Sequence, residues 1–306
     1  MRRYGMEWAW IALMICSLAA GQAISAAPAS SIQERGSSTG VPPTVDLIIV
    51  VDNSASMTDE IESLQNGLYD HLVGPLLAAD VGIQVIMVAR HGDLPSESVC
   101  IEAPLSSIPS GGCATPPPQP GNTALYRQYS VEVGSHNAWC LLRDTYGGSV
   151  PDEFGLAPAG WQAWLQPDAY RVILVVSDDG VICDSYNDAD NVVSGGAAAT
   201  SFDADLLALS PADFGTSVAR NYIVHSLIGM GPNSPSTAPW PPSSAVSTLL
   251  CPVGVDPGTG HQSLSVLTGG LRFPSCQADD YPVFFRMLAE SIFPGAALFR
   301  DRFEAE

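Results

Sequence analysis

The stretch Val45-Asp46-Leu47-Ile48-Ile49-Val50-Val51-Asp52-Asn53-Ser54-Ala55-Ser56-Met57 carries the information from which the fold is read. Its first seven residues are nearly all apolar and mostly β-branched, which predicts a strand buried on both faces. From Met57 to Leu77 the apolar residues Ile61, Leu64, Leu68, Leu72 and Leu76 recur at spacings of three and four, which predicts a helix. Pro75 ends that helix or kinks its last turn. Between the two lies Asp52-Asn53-Ser54-Ala55-Ser56, a D-x-S-x-S turn. It sets one carboxylate and two hydroxyls at the carboxyl end of a buried strand, where open α/β sheets bind ligands. Three oxygen donors, one of them charged, suit a hard divalent cation. The plainer alternative is a helix cap, with Ser54 or Ser56 accepting from orphan backbone N–H groups.

Outward from this point, strands are expected over 82–89, 129–133 (at an edge), 170–176, 221–229 and 271–273. Helices are expected over 137–145, 159–165, 262–267 and 281–293. Strands alternating with helices imply parallel βαβ units and one doubly wound α/β domain, a mostly parallel central sheet flanked by helices, over 45–293. Two proline-rich loops near 104–121 and 231–244 are too long for ordinary connections and are expected at the surface. The residues 27–44, rich in Ser, Gly and Pro, read as a flexible linker, and 294–306 as a tail. Gly36-Ser37-Ser38-Thr39-Gly40 matches a nucleophile-elbow pattern, but it has no strand before it and is set aside.

A second acidic cluster ends a different buried strand: Val175-Val176-Ser177-Asp178-Asp179-Gly180. With D-x-S-x-S at the end of one apolar strand and an acid at the end of another, the chain resembles the von Willebrand factor type A domain and its metal-ion-dependent adhesion site. Leu264-Ser265-Val266-Leu267-Thr268-Gly269-Gly270-Leu271-Arg272-Phe273 is similar to that family's helix, TGG turn and final strand. The resemblance implies a Rossmann-like fold and a metal site made by Asp52, Ser54, Ser56 and Asp178. The family's loop threonine is not evident. Ser135, in Val133-Gly134-Ser135-His136-Asn137, stands nearest its place, ahead of Thr123 and Thr145. His136 beside it can approach the site, and Asp179 is either a hydrogen-bond acceptor behind the ligands or simply solvated, the latter being preferred. The resemblance further implies Mg2+, with Mn2+ or Ca2+ as alternatives, and a partner protein or peptide whose carboxylate fills the open coordination position.

Composition narrows the function. The chain of 306 residues carries 12 Lys+Arg against 32 Asp+Glu, for a net charge of −20, and every one of the basic residues is Arg. Without lysine there is no Walker-type phosphate loop, no Schiff base and no Ser–Lys hydrolase. Without a basic stripe there is no nucleic-acid partner. At 46% hydrophobic and 14% charged residues the chain has enough apolar content for a large core. Arg2 and Arg3, the apolar run Trp8–Ala20 and the small residues after it form a secretory signal peptide over 1–26. No anchor is expected after its removal, and Cys16 lacks a lipoprotein context.

An exported chain meets an oxidising compartment, secreted, periplasmic or at the cell surface. Cys100, Cys113, Cys140, Cys183, Cys251 and Cys276 are then candidates for up to three disulfides, or for free buried thiols in part. Sequence does not choose among 15 connectivities, although Cys100–Cys113 is the expected local staple. Asp184, Asp188, Asp190 and Asn191 lack EF-hand spacing and are expected to form a solvated acidic loop. His225, in an apolar strand, is expected to be a satisfied core residue.

The expectation is thus an exported binding module without catalysis. Its rivals are a metal-dependent hydrolase built on Asp52, Asp178 and Asp179, and an envelope protein with a vestigial site.

Overall fold

The computed structural model describes residues 43–92 and 97–294. The expected signal peptide, most of the linker and almost all of the tail lie outside the described residues. Six parallel strands form the central sheet: β1 (Thr44–Val51), β2 (Gly82–Val88), β3 (Tyr126–Tyr129), β4 (Tyr170–Val176), β9 (Tyr222–Ile228) and β10 (Arg272–Pro274). They lie in the order β10-β9-β4-β1-β2-β3. Counting sheet strands alone, this is the doubly wound order 3-2-1-4-5-6, and the winding reverses between β1 and β4. Two short hairpins complete the strands, β5 (Ile182–Cys183) with β6 (Tyr186–Asn187) and β7 (Gly215–Thr216) with β8 (Ala219–Arg220).

The apolar run of β1 serves both faces of the sheet because successive side chains alternate. Val45, Leu47, Ile49 and Val51 pack with α1 (Thr58–Leu68), which runs through a π turn (Tyr69–Val73) into α2 (Gly74–Ala78), and with α7 (Tyr281–Ile292). Ile48 and Val50 pack on the other side with α3 (Ala138–Tyr146), α4 (Val192–Leu209), the single turn α5 (Pro211–Phe214) and α6 (Thr259–Thr268). Pro75 lies near the start of α2 and leaves the helix path intact after the π turn.

Three expectations are corrected. The edge strand is Tyr126–Tyr129 rather than 129–133, because the later residues leave the ladder to bond Asn53: Asn53 N–H donates to Val133 O at 2.6 Å. The segment 159–165 contains only a 3-10 turn, Trp161–Trp164. The long helix α4 was not anticipated, since its Gly- and Ala-rich sequence has almost no polar face to mark a period.

At the amino end of the sheet, buried Asp46 pairs with Arg171 at 3.2 Å, and Arg171 also reaches Asp213 at 2.9 Å. Beneath the second proline-rich loop, fully buried Arg272 has carbonyls rather than carboxylates around it, donating to Pro241 O and Ser244 O at 2.8 Å each. Desolvation brings its pKa down to about 10. The described cysteines form three disulfides, Cys100–Cys113 as expected, with Cys140–Cys183 and Cys251–Cys276. Such cross-links point to an extracytoplasmic compartment. Among the described residues no helix is long and apolar enough to cross a membrane. His225 is buried and accepts from Leu271 N–H at 3.0 Å, and desolvation holds it neutral with a pKa near about 3.

The TGG turn has a geometric reason. Gly269 takes φ 87°, and Gly270 N–H closes on Ser265 O at 2.7 Å, which caps α6 in the manner of a Schellman motif. Thr268 Oγ1 accepts from Val224 N–H at 2.9 Å, so the cap is fastened to β9. A Cβ on Gly270 would stand 1.8 Å from Val224 O. Gly270→Ala is expected to cost about 3–4 kcal/mol in urea denaturation. Gly269→Ala, which meets the left-handed penalty, is expected to cost about 1–2 kcal/mol.

Candidate metal centre

The register of β1 against β4 places Val51 beside Val176. Asp52 N–H extends the ladder one step by donating to Val176 O at 2.9 Å. The acids that follow each strand therefore arrive at the same edge of the sheet, at the point where the winding reverses. Asp52, Asp178 and Asp179 are 1%, 2% and 3% exposed, and each offers an oxygen within 4.8 Å of the others. These three can hold a metal ion.

Hydrogen bonds fix the donors. Asp52 Oδ1 accepts from Ser54 N–H and Oδ2 from the Ser177 hydroxyl, both at 2.8 Å. Ser54 Oγ and Ser56 Oγ are hydrogen-bonded at 3.1 Å, and Ser56 Oγ donates to Asp178 Oδ1, also at 3.1 Å. Ser54 occupies the N-cap position of the 3-10 turn Ala55–Met57, yet its side chain makes no cap bond. The helix-cap reading of these serines fails for that reason: their hydroxyls face each other and Asp178.

Asp179 is buried, which corrects the expectation that it is solvated. Ser135 lies close enough to its carboxylate to favour the ionised form. His136 Nδ1 stands 4.0 Å from Asp179 Oδ1. The turn that presents both is closed by Asn137, whose Oδ1 accepts from Gly134 N–H at 2.9 Å. Ser135 and His136 thus meet the site through Asp179.

The acidic loop is likewise not simply solvated. Asp188 is buried and accepts from Gly260 N–H at 2.9 Å. Asp184, Asp190 and Asn191 are exposed, with Asp184 paired to Arg143 at 2.5 Å and Asp190 near enough to Asp256 for their charges to oppose each other. Asp256 was not anticipated. It lies in the loop after β9, whose Val255 and Asp256 N–H groups donate to Asp178 O at 3.0 and 2.9 Å. An acid in the loop after a third parallel strand was the available signal, although Asp256 stands 28 positions beyond Ile228. Glu60, in the first turn of α1, is also buried beside the centre.

Burial and mutual repulsion perturb these acids. Desolvation raises the pKa of Asp52, against the hydrogen bonds from Ser54 and Ser177. Desolvation also raises Asp178, with Asp52 adding to it. Asp179 is pushed up to about 6 by desolvation and by Asp178 and Asp52, with Ser135 and His136 opposing. No protein-family model, curated protein or solved structure matches the chain.

Glu60 gives a pH test outside the ligand set. Desolvation first, then the charges of Asp178, Asp59 and Asp52, push it from 4.5 to about 7. The folded state keeps this proton where the unfolded chain has lost it. The stability the group supplies is full below pH 4.5 and is lost as pH rises through about 7. Glu60→Gln, which mimics the protonated form, is expected to leave the melting temperature unchanged near about pH 4. Near about pH 8 it should raise it, by about 2–4 °C for each kcal/mol regained.

Proposed function

We propose that this chain is an exported, von Willebrand factor A-like binding module. A divalent cation is held by Asp52, Ser54, Ser56 and Asp178, with Asp179 and Ser135 behind them, and the cation captures a carboxylate of a partner protein or peptide. The observation that carries this reading is that, among the described residues, no arginine faces a cluster of three buried carboxylates, whereas acids elsewhere in the fold have one. Asp46 and Asp213 have Arg171, and Asp203 has Arg220 through two bonds of 2.6 and 2.7 Å. Against Asp52, Asp178 and Asp179 the basic side chain among the described residues is His136, at the Asp179 side.

The donor set favours Mg2+, with Mn2+ or Ca2+ as substitutes, because carboxylate and hydroxyl oxygens suit hard cations. Two neutral hydroxyls leave the ion electrophilic, and Ser56 is exposed, so an outside oxygen has access. Around the centre the loops carry exposed apolar residues: Ile182 on the hairpin bonded to His136 O, Val192 and Val193 after Asp190, and Val253 and Val255 before Asp256. An acidic ion site rimmed by aliphatic side chains suits a protein surface better than a small polar substrate. The disulfides agree with export, which the apolar run Trp8–Ala20 is read as directing.

Thermal melting tests the reading. Magnesium at about 100 times its dissociation constant is expected to add about 2.7 kcal/mol, a rise of about 5–10 °C in a chain of this size. EDTA reverses it, and Asp52→Ala or the gentler Ser56→Ala removes it. No response to magnesium, manganese or calcium in the wild-type protein would overturn the reading in favour of a vestigial site. Magnesium-dependent hydrolysis of p-nitrophenyl phosphate would replace it with the hydrolase.

A further inference from the structure

Three segments converge on the outer side of Asp179: the turn 134–137, the β5–β6 hairpin and the loop after β9. His136 arrives on the first and Asp256 on the last. A ring nitrogen of His136 and one carboxylate oxygen each of Asp179 and Asp256 lie within 4.8 Å of one another. Two features separate this group from an acidic patch.

The first is the nitrogen itself. His136 Nδ1 is shielded from solvent and has no hydrogen-bond partner. It faces Asp179 Oδ1 at 4.0 Å, too far for a hydrogen bond. A tetrahedral ion bonded to both at about 2.0–2.2 Å would hold them about 3.4 Å apart, so closing on it takes a shift of about half an ångström. The second feature is that every ligand-bearing backbone is fixed. Ile182 N–H donates to His136 O at 3.1 Å, and Cys140–Cys183 ties the hairpin to the helix that follows the His136 turn. Asp256 N–H is bound to Asp178 O, Gly180 N–H donates to Asp256 Oδ2 at 3.4 Å, and Cys251–Cys276 anchors the same loop.

We propose that His136, Asp179 and Asp256 form a second cation site, selective for zinc or a similar nitrogen-preferring ion, with Asp179 bridging it to the first. Imidazole nitrogen suits zinc and its neighbours, whereas magnesium and calcium favour all-oxygen sets. Three protein ligands leave a fourth position for water or an outside group. Two divalent ions also balance the formal charge of Asp52, Asp178, Asp179 and Asp256, which one ion does not.

The test is calorimetric titration of the disulfide-intact mature chain with zinc, in saturating magnesium and without chelating buffer. One zinc is expected to bind. His136→Gln and Asp256→Asn should each weaken it by about tenfold or more, while both keep the magnesium-dependent melting shift that certifies their fold. Ser56→Ala should do the reverse, losing the magnesium shift and keeping zinc. Absence of zinc binding, zinc affinity unchanged in both the His136 and Asp256 variants, or zinc lost together with magnesium in Ser56→Ala would each overturn the second site. Zinc binding that depends on His136 in a protein deaf to magnesium would uphold it while removing the function proposed above.

Discussion

Three carboxylates buried side by side, with no arginine among the described residues against them, set the terms for this end of the molecule. At 4 Å and an effective dielectric of 20, two unit charges repel by about 4 kcal/mol. The fold does not relieve this locally as it does at the opposite end of the sheet, where Arg171 stands between Asp46 and Asp213. It holds the acids in place instead. The β1–β4 ladder fixes their backbones, the hydroxyls of Ser177 and Ser56 fix two of their side chains, and the loop after β9 grips Asp178 through its carbonyl. Part of the repulsion is relieved by protonation, as the upward shifts of Asp179 and Glu60 record.

The two loops that carry Asp179's neighbours are each cross-linked, one by Cys140–Cys183 and the other by Cys251–Cys276. Segments outside the central sheet would otherwise separate at little cost, since only a two-residue hairpin and isolated bridges pair their backbones. Arg272 works in the same direction, because its buried guanidinium collects the carbonyls of the proline-rich loop and holds that loop over β10. Preorganisation of this kind is what a binding site needs if affinity is not to be spent on ordering.

The centre of the fold was legible because strands buried on both faces read as unbroken apolar runs, and β1 and β4 are such runs. D-x-S-x-S was legible because it follows one of them directly. The edge strand was misplaced by three residues because Tyr126–Tyr129 and the residues after it are equally alternating and equally buried. What diverts the chain at Val133 is a bond to Asn53, which no local pattern announces. The helix α4 was invisible for the opposite reason, being apolar and small on nearly every side. Asp188, Asp190 and Asp256 were read as loop acids or passed over, since their place beside the centre depends on a loop that returns from far along the chain. Ser135 and His136 were placed near the site from their position after the edge strand. Their attachment to Asp179 rather than to Asp52 depends on the third dimension.

The bonds that join Asp52 and Ser56 to the β4 side bridge 125 and 122 residues of sequence. No fragment ending before β4 contains the centre, and none of its local segments has reason to prefer a cation. Such closure is among the last and slowest events in a chain governed by non-local contacts. What the acidic cluster can hold, it can hold only in the finished molecule. A cation held there would act as a latch on the completed fold, slowing escape from the native state without helping the nascent chain to reach it.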